Sequence, residues 1–391
     1  MRVGLNATCF NDRPSGANQR FLEIYGALIR QRRDIEFVIY EPSDQRIAAW
    51  FGDAPNVSVR RTPLPSVGRV ARLRAGLGFW RAQLRRDQLD LFEAFHLPLV
   101  RAPDCPTILT IHDLRPLMAS SRLSRGIARQ VLHRAFAGAD RVIAVSNAVR
   151  SEILAFHPAA SVSTIYNGVD PAAFATPGDD MVAAVRARHG LPERYGLAVG
   201  HLEARKNLPL LVEAIALLRD AGKAYPLAIV GNDGGDRAAI QALVAKHRLE
   251  ALVPVIEGAD DATVRALYVG CDLLAFPSRY EGFGIPILEA MAAGKPMVLG
   301  DTPVFRELTS GQGRYFAIDD PHGAATAIDL VWNDPAERDR QLRFGRERVR
   351  DFAFDHLASQ VAAVYDELVG SPTPRMPASR ARAAAGEWSR S

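Results

Sequence analysis

Cysteine is scarce in this chain. Cys9, Cys105 and Cys271 are the only three in 391 residues. They lack metal-ligand spacing, and they are too few for a disulfide framework. A reducing cytoplasm is therefore the expected setting. Long apolar runs are missing as well. No stretch reaches the roughly eighteen residues a membrane-spanning helix needs. The opening Met1-Arg-Val-Gly-Leu-Asn6 turns polar too soon for a signal peptide and reads as a first strand. The loop after that strand carries no G-x-G-x-x-G and no Walker lysine motif, which disfavours a nicotinamide dehydrogenase. Acidic residues are absent from Val59 to Arg86, where eight arginines accumulate.

What is present describes an ordinary globular chain. A composition 48% hydrophobic and 24% charged suits a folded protein with room for two cores. In the first half, Arg2 to Asn6, Glu36 to Tyr40, Leu89 to Phe95, Thr107 to Ile111 and Arg141 to Val145 read as strands. Helical patterns such as Phe21 to Ile29 and Ile127 to Phe136 lie between them. Alternation of this kind implies a parallel sheet covered by helices. Residues 171–180, rich in Pro, Gly, Thr and acid, read as a linker. Six further strands follow: Tyr195 to Val199, Pro226 to Val230, Val253 to Ile256, Leu273 to Phe276, Pro296 to Leu299 and Gly313 to Phe316. The expected class is α/β, with two doubly wound domains. Boundaries are expected at 1–175, 176–351, a final helix over 352–370 and a disordered tail over 371–391.

The most informative stretch is Ser278-Arg-Tyr-Glu-Gly-Phe-Gly-Ile-Pro-Ile-Leu-Glu-Ala-Met-Ala-Ala-Gly294. It follows the apolar strand Leu273 to Phe276, turns at Gly282 and Gly284, and continues as a helix from Ile285 to Ala293 with Gly294 as its C-cap. Glu289 is the only polar side chain in that helix, so burial all round is expected. A buried carboxylate costs several kcal/mol unless it is partnered. Glu281 sits at the carboxyl end of the strand, where open α/β sheets bind ligands. Taken alone, the pair is equally a surface Glu plus a satisfied core Glu.

The same residues resemble the E-x7-E element of retaining glycosyltransferases of the GT-B fold, family 4. The likeness extends over roughly residues 1 to 368 and is strongest in the second half. It implies two Rossmann-like domains facing a cleft, with the nucleotide-sugar donor on the second. It implies that Glu289 binds ribose hydroxyls, and that Glu281 and the amides near Phe283, Gly284 and Ile285 hold the donor sugar. Gly200-His-Leu-Glu-Ala-Arg-Lys-Asn207 resembles the family's pyrophosphate segment. Arg205 offers a planar fork there and Lys206 a point charge. His201 stands where many relatives carry a second Arg. Gly258 resembles the segment whose backbone meets the base. Thr110-Ile-His-Asp-Leu114 resembles the segment whose His112 reaches the transferred sugar, and His96 is a weaker candidate of the same kind. Gly16, in the loop after the first strand, would lie near the donor, although the family's Gly-Gly pair is Gly16-Ala17 here.

No Asp-x-Asp triplet occurs in the chain. Metal-assisted sugar transfer usually needs paired carboxylates, so no cofactor and no metal are expected. The resemblance leans toward bacterial mannosyltransferases, hence toward GDP-mannose as donor and a glycan or lipid-linked glycan as acceptor. A nucleotide-sugar epimerase of the same shape and a non-catalytic sugar-binding protein remain alternatives. Across residues 66–86, Val67, Val70, Leu73, Leu77, Trp80 and Leu84 recur at helical spacing among arginines. That pattern suits peripheral contact with an anionic membrane face, or an ordinary helix packed on the sheet. No nucleic-acid module accompanies it.

Overall fold

The computed structural model describes residues 1–11, 15–68, 76, 78–119, 121–175 and 177–370. The expected tail over 371–391 lies outside the described residues.

Two parallel sheets organise the chain. The first contains β1 (Arg2–Asn6), β2 (Glu36–Glu41), β3 (Val57–Arg61), β4 (Leu91–Ala94), β5 (Thr107–Ile111), β6 (Arg141–Ala144) and β7 (Val162–Thr164), in the order β3-β2-β1-β4-β5-β6-β7. The second contains β8 (Gly196–Val199), β9 (Leu227–Val230), β10 (Val255–Ile256), β11 (Leu273–Phe276), β12 (Met297–Gly300) and β13 (Arg314–Phe316), in the order β10-β9-β8-β11-β12-β13. Central strands such as β5 and β11 are buried at every residue. Parallel strands covered on both faces need such unbroken apolar runs. Strand order reverses between β1 and β4, and again between β8 and β11. A doubly wound sheet opens its ligand crevice at that reversal.

Two edge strands, β3 and β7, were not expected from the sequence. Their side chains are only partly covered, with no fully buried residue in either. A half-wet edge strand lacks the apolar run that announces a central one.

The arginine-rich stretch differs from an amphipathic helix starting at Ser66. The described helix is Phe79–Asp87. Trp80 and Leu84 are buried, and the Trp80 ring meets Tyr40 and Phe92 edge-on at 5.5 and 5.9 Å. Trp80 is therefore core rather than a membrane anchor. Arg60 pairs with Asp87 at 2.9 Å and Arg85 with Asp104 at 3.4 Å. Residues 69–75 and 77 lie outside the described residues.

The last helix, Phe354–Gly370, packs Leu357, Val361 and Tyr365 into the core of the first sheet. Its deepest anchor is Glu93 of β4, which is fully buried. One carboxylate oxygen accepts from the Tyr25 hydroxyl at 2.5 Å and the Thr110 hydroxyl at 2.6 Å, and the other accepts from Tyr365. Burial raises the Glu93 pKa, and the three hydroxyls oppose it. Tyr365→Phe should lower stability by about 1–3 kcal/mol, because it strips a donor from a buried carboxyl. Urea unfolding followed by tryptophan fluorescence checks this, and an unchanged midpoint contradicts the anchoring role.

Candidate active site

The site begins where β8 ends. After Val199 the chain turns through Gly200 and makes a short 3-10 turn, Ala204–Lys206, before the helix Leu208–Asp220. Asn207 holds the corner in the left-handed region at φ 56°, and its side-chain amide donates to the Ile318 carbonyl at 2.9 Å. This corner sends Lys206 back under the sheet edge. The residue is only 7% exposed, and its ammonium lies 4.9 Å from the centre of the Phe276 ring.

Glu281 arrives from β11, the neighbouring strand. Its Oε1 meets Lys206 Nζ at 2.7 Å, and its Oε2 meets Arg205 at 2.7 Å. Arg205 also pairs with Glu203 at 2.6 Å. Two cations thus face two carboxylates, and the cluster is neutral overall. Burial alone would raise the Glu281 pKa. Lys206 and Arg205 outweigh it and hold the carboxyl below its ordinary range. Burial lowers the Lys206 pKa, with Glu281 opposing. The sequence assigned these cations to a diphosphate and Glu281 to a sugar. In the structure they hold one another.

Glu289 lies on the helix Ile285–Ala292. This helix is not buried all round, as its composition suggested. Ile287, Leu288, Ala290 and Met291 are buried, whereas Ile285, Glu289 and Ala292 form a partly accessible stripe. Residues four and seven apart share a face. Burial of its carboxyl pushes the Glu289 pKa up, while the Tyr268 hydroxyl and the Lys206 charge work against that. That hydroxyl is buried without a partner at ordinary hydrogen-bond distance.

The first domain grips the Glu281 loop from both sides. The Tyr280 hydroxyl accepts from the Leu114 amide at 3.1 Å and donates to Glu152 at 2.9 Å. The Ser146 hydroxyl donates to the Gly282 carbonyl at 2.8 Å. A Cβ on Gly282 would come within 1.8 Å of the His112 carbonyl oxygen, so only glycine allows this approach. Gly16 also faces the second domain, where a Cβ would fall 2.6 Å from Ile285 Cδ1, a side-chain tip that can turn aside. Glu307 caps the helix Asn147–Phe156 across the seam, accepting from the Asn147 and Ala148 amides at 2.6 and 2.9 Å. A cavity of about 530 Å³ opens along this seam, walled by Asn147, Glu152, Tyr280, Glu281 and Glu307 among others.

His112 closes β5 beside this loop. Burial, then Arg20 and Arg115, depress its ring pKa to about 3, so the imidazole is neutral at physiological pH. Phe283 is buried, and its ring packs against Tyr166 and Phe352 at 5.9 and 6.2 Å, leaving its amide as the group a ligand could use. Gly284 turns the chain at φ 131° before the Glu289 helix. Gly258 follows β10 at φ 67°, and its amide donates to the Asn232 side chain at 3.1 Å. His96 is half-buried after β4 and His201 is exposed. Among the described residues, no cluster of three His, Cys, Asp or Glu side chains is placed to hold a metal ion.

Sequence reasoning missed Tyr280, Glu152, Glu203, Glu307 and Arg20. Arg20 is fully buried and donates to the Ile165 and Tyr166 carbonyls and to the Asn167 side chain. Ser146 caps the helix Asn147–Phe156, its hydroxyl accepting from the Val149 amide. Its second bond, to Gly282, had no sequence signal.

Comparison with known proteins follows the same division. The family model described as "Glycosyltransferase Family 4" matches residues 14–173, and "Glycosyl transferases group 1" matches residues 184–348. A glycogen synthase of Mycobacterium tuberculosis is 31% identical over 293 residues, covering 72% of this chain and 68% of that protein. A phosphatidyl-myo-inositol mannosyltransferase of the same species is 29% identical over 392 residues, covering 95% and 98%. The sucrose-phosphate synthase of Thermosynechococcus elongatus superposes with a TM-score of 0.76 at 22% identity, covering 94% of this chain and 99% of that one. The chain belongs to the group 1, family 4 glycosyltransferases of GT-B fold, and it is a glycosyltransferase.

Lys206→Ala should weaken binding of a nucleoside diphosphate by about 2–4 kcal/mol, since it removes one partner of a desolvated ion pair. Calorimetric titration checks the change. Unaltered affinity would remove Lys206 from the phosphate site.

Proposed function

We propose that this enzyme transfers a hexose from a nucleoside-diphosphate sugar to a glycan or lipid-linked glycan, with retention at the anomeric carbon and without a metal ion. Mannose from GDP-mannose is the favoured donor, because a mannosyltransferase relative aligns over 95% of the chain. The observation that carries the reading is the convergence of Arg205, Lys206 and Glu281 at the strand reversal, with Glu289 on the next helix.

The proposed chemistry assigns each residue a task. The diphosphate takes the place of Glu281 against Arg205 and Lys206. Glu281, turned toward the sugar, accepts from its hydroxyls. Glu289 accepts from the ribose hydroxyls, which offsets its burial. The acceptor hydroxyl oxygen attacks the anomeric carbon on the face from which the diphosphate departs. The bond from that carbon to the phosphate oxygen breaks, and the hydroxyl proton passes to the departing phosphate. Fixed cations in a partly dry site stabilise the charge that develops there. A neutral His112 offers the sugar a hydrogen bond without adding a positive charge. The amides of Phe283 and Gly284 are available to the same sugar, and the base would meet the backbone turn at Gly258, whose own amide is held by Asn232.

Thermal-shift screening with GDP-, UDP-, ADP- and dTDP-sugars tests the donor. The expected result is the largest rise in Tm with GDP-mannose, a product that keeps the donor's anomeric configuration by NMR, and turnover unaffected by EDTA. A different preferred base would correct the donor. An inverted product or loss of turnover in EDTA would overturn the mechanism.

A further inference from the structure

A cavity of about 500 Å³ lies where the chain passes between its two domains, and it shares no lining residue with the Lys206–Glu281 cluster. The chain leaves the first domain through the turn Pro171–Phe174 and returns through the turn Val349–Phe352. These crossings touch. The Val169 amide donates to the Phe352 carbonyl at 3.1 Å, and a Cβ on Gly168 would fall 2.8 Å from that same oxygen. Pro171 borders the cavity on one crossing and Val349 on the other, with the end of the Glu289 helix between them. Its volume suits a small molecule, for which pockets of roughly 300–1,000 Å³ are usual. A peptide would need a longer groove.

Three kinds of surface meet there. Met291 and Val349 are buried and give an apolar floor. The Glu289 helix stops at Ala293, and Gly294 then turns at φ 64° with open space where a Cβ would stand. The Ala293 carbonyl accepts no hydrogen bond among the described residues, as the last carbonyls of a helix often do not. Arg346 and Arg350 supply the third surface. Both are exposed, and neither makes an ion pair or side-chain hydrogen bond among the described residues. Arg348, between them, is already engaged, pairing with Asp351 at 2.7 Å and donating to the Leu308 carbonyl at 3.0 Å. Two unanswered guanidinium groups call for a dianion. A phosphate monoester carries about two negative charges at neutral pH and offers three oxygens to planar forks. A carboxylate would leave one charge unanswered. Hydroxyls on the same molecule would donate to the free carbonyl, and its C–H face would lie on the apolar floor.

We propose that this cavity binds a phosphate monoester of a small polyol, of the size of a hexose phosphate, with Arg346 and Arg350 on the phosphate, and that the bound molecule restrains the two interdomain crossings. The site is separate from the donor cleft and does not depend on the proposed transfer reaction. It touches the far end of the helix that carries Glu289, so occupancy reaches the donor side through that helix as well as through the crossings.

Calorimetric titration of the full chain with glucose 6-phosphate and mannose 6-phosphate tests the site without any turnover, with glucose and inorganic phosphate as controls. At least one ester is expected to bind one to one, more tightly than inorganic phosphate, in the presence of saturating nucleoside diphosphate, and glucose is expected not to bind. Arg346→Gln/Arg350→Gln should weaken the ester at least about tenfold. Both substitutions alter exposed side chains, and parent-like affinity for nucleoside diphosphate shows that the double variant folds. Hydrogen exchange then locates the ester, which should slow exchange at 171–174 and 349–352 in the parent and not in the double variant. No binding of either ester by the parent, parent-like binding by the double variant, or displacement of the ester by nucleoside diphosphate would overturn the proposal. Inorganic phosphate binding as tightly as both esters would overturn the polyol assignment, and unchanged exchange at both crossings would overturn the restraint.

Discussion

An ammonium and a guanidinium cannot stand side by side in a half-dry cleft without anions to answer them. Glu281 supplies that answer for both Lys206 and Arg205. Desolvation alone would discharge Lys206 and protonate Glu281. Glu281 works against the discharge of Lys206, and the two cations hold Glu281 below its ordinary range. The cluster carries no net charge, and a diphosphate that enters must displace a carboxylate already in place. Removing one partner of such a pair strands the other, which is why breaking it costs more than the pair contributes to stability.

Every larger feature serves to bring those groups together. Doubly wound order puts the ends of β8 and β11 side by side, although Lys206 and Glu281 are 75 residues apart in the chain. The first domain then fixes the loop that carries Glu281. Tyr280 and Gly282, its two neighbours, are each bonded to that domain, and Glu307 ties the second domain to a helix N-terminus across the seam. A carboxylate on the helix amides adds a favourable interaction with the helix dipole. The seam therefore couples the separation of the domains to the position of the acid beside the cations.

Much of this was legible in the residues. All six strands of the second sheet announced themselves, the inner ones most clearly, because covered parallel strands are continuous apolar runs. Glu281, Glu289, Arg205 and Lys206 stood out against those runs. The strands β3 and β7 did not, since neither contains a fully buried residue. Burial of the Glu289 helix was overestimated, because a cleft-facing stripe of Ile, Glu and Ala has the composition of a core. Trp80 stood in a pattern that suited either a membrane face or a helix packed on the sheet, and it packs against Tyr40 and Phe92. Least legible were the bonds made across long separations. Glu93 gathers hydroxyls from Tyr25, Thr110 and Tyr365, and Arg20 reaches residues 165 to 167. Nothing local marks a partner that only folding brings near.

The exchange of a carboxylate for a diphosphate is most directly measured by titrating GDP into the parent and into Glu281→Gln. If Glu281 competes for the cations, the neutral amide should bind GDP more tightly, by about tenfold, while turnover of the sugar donor collapses. Equal or weaker binding of GDP by Glu281→Gln would contradict the account.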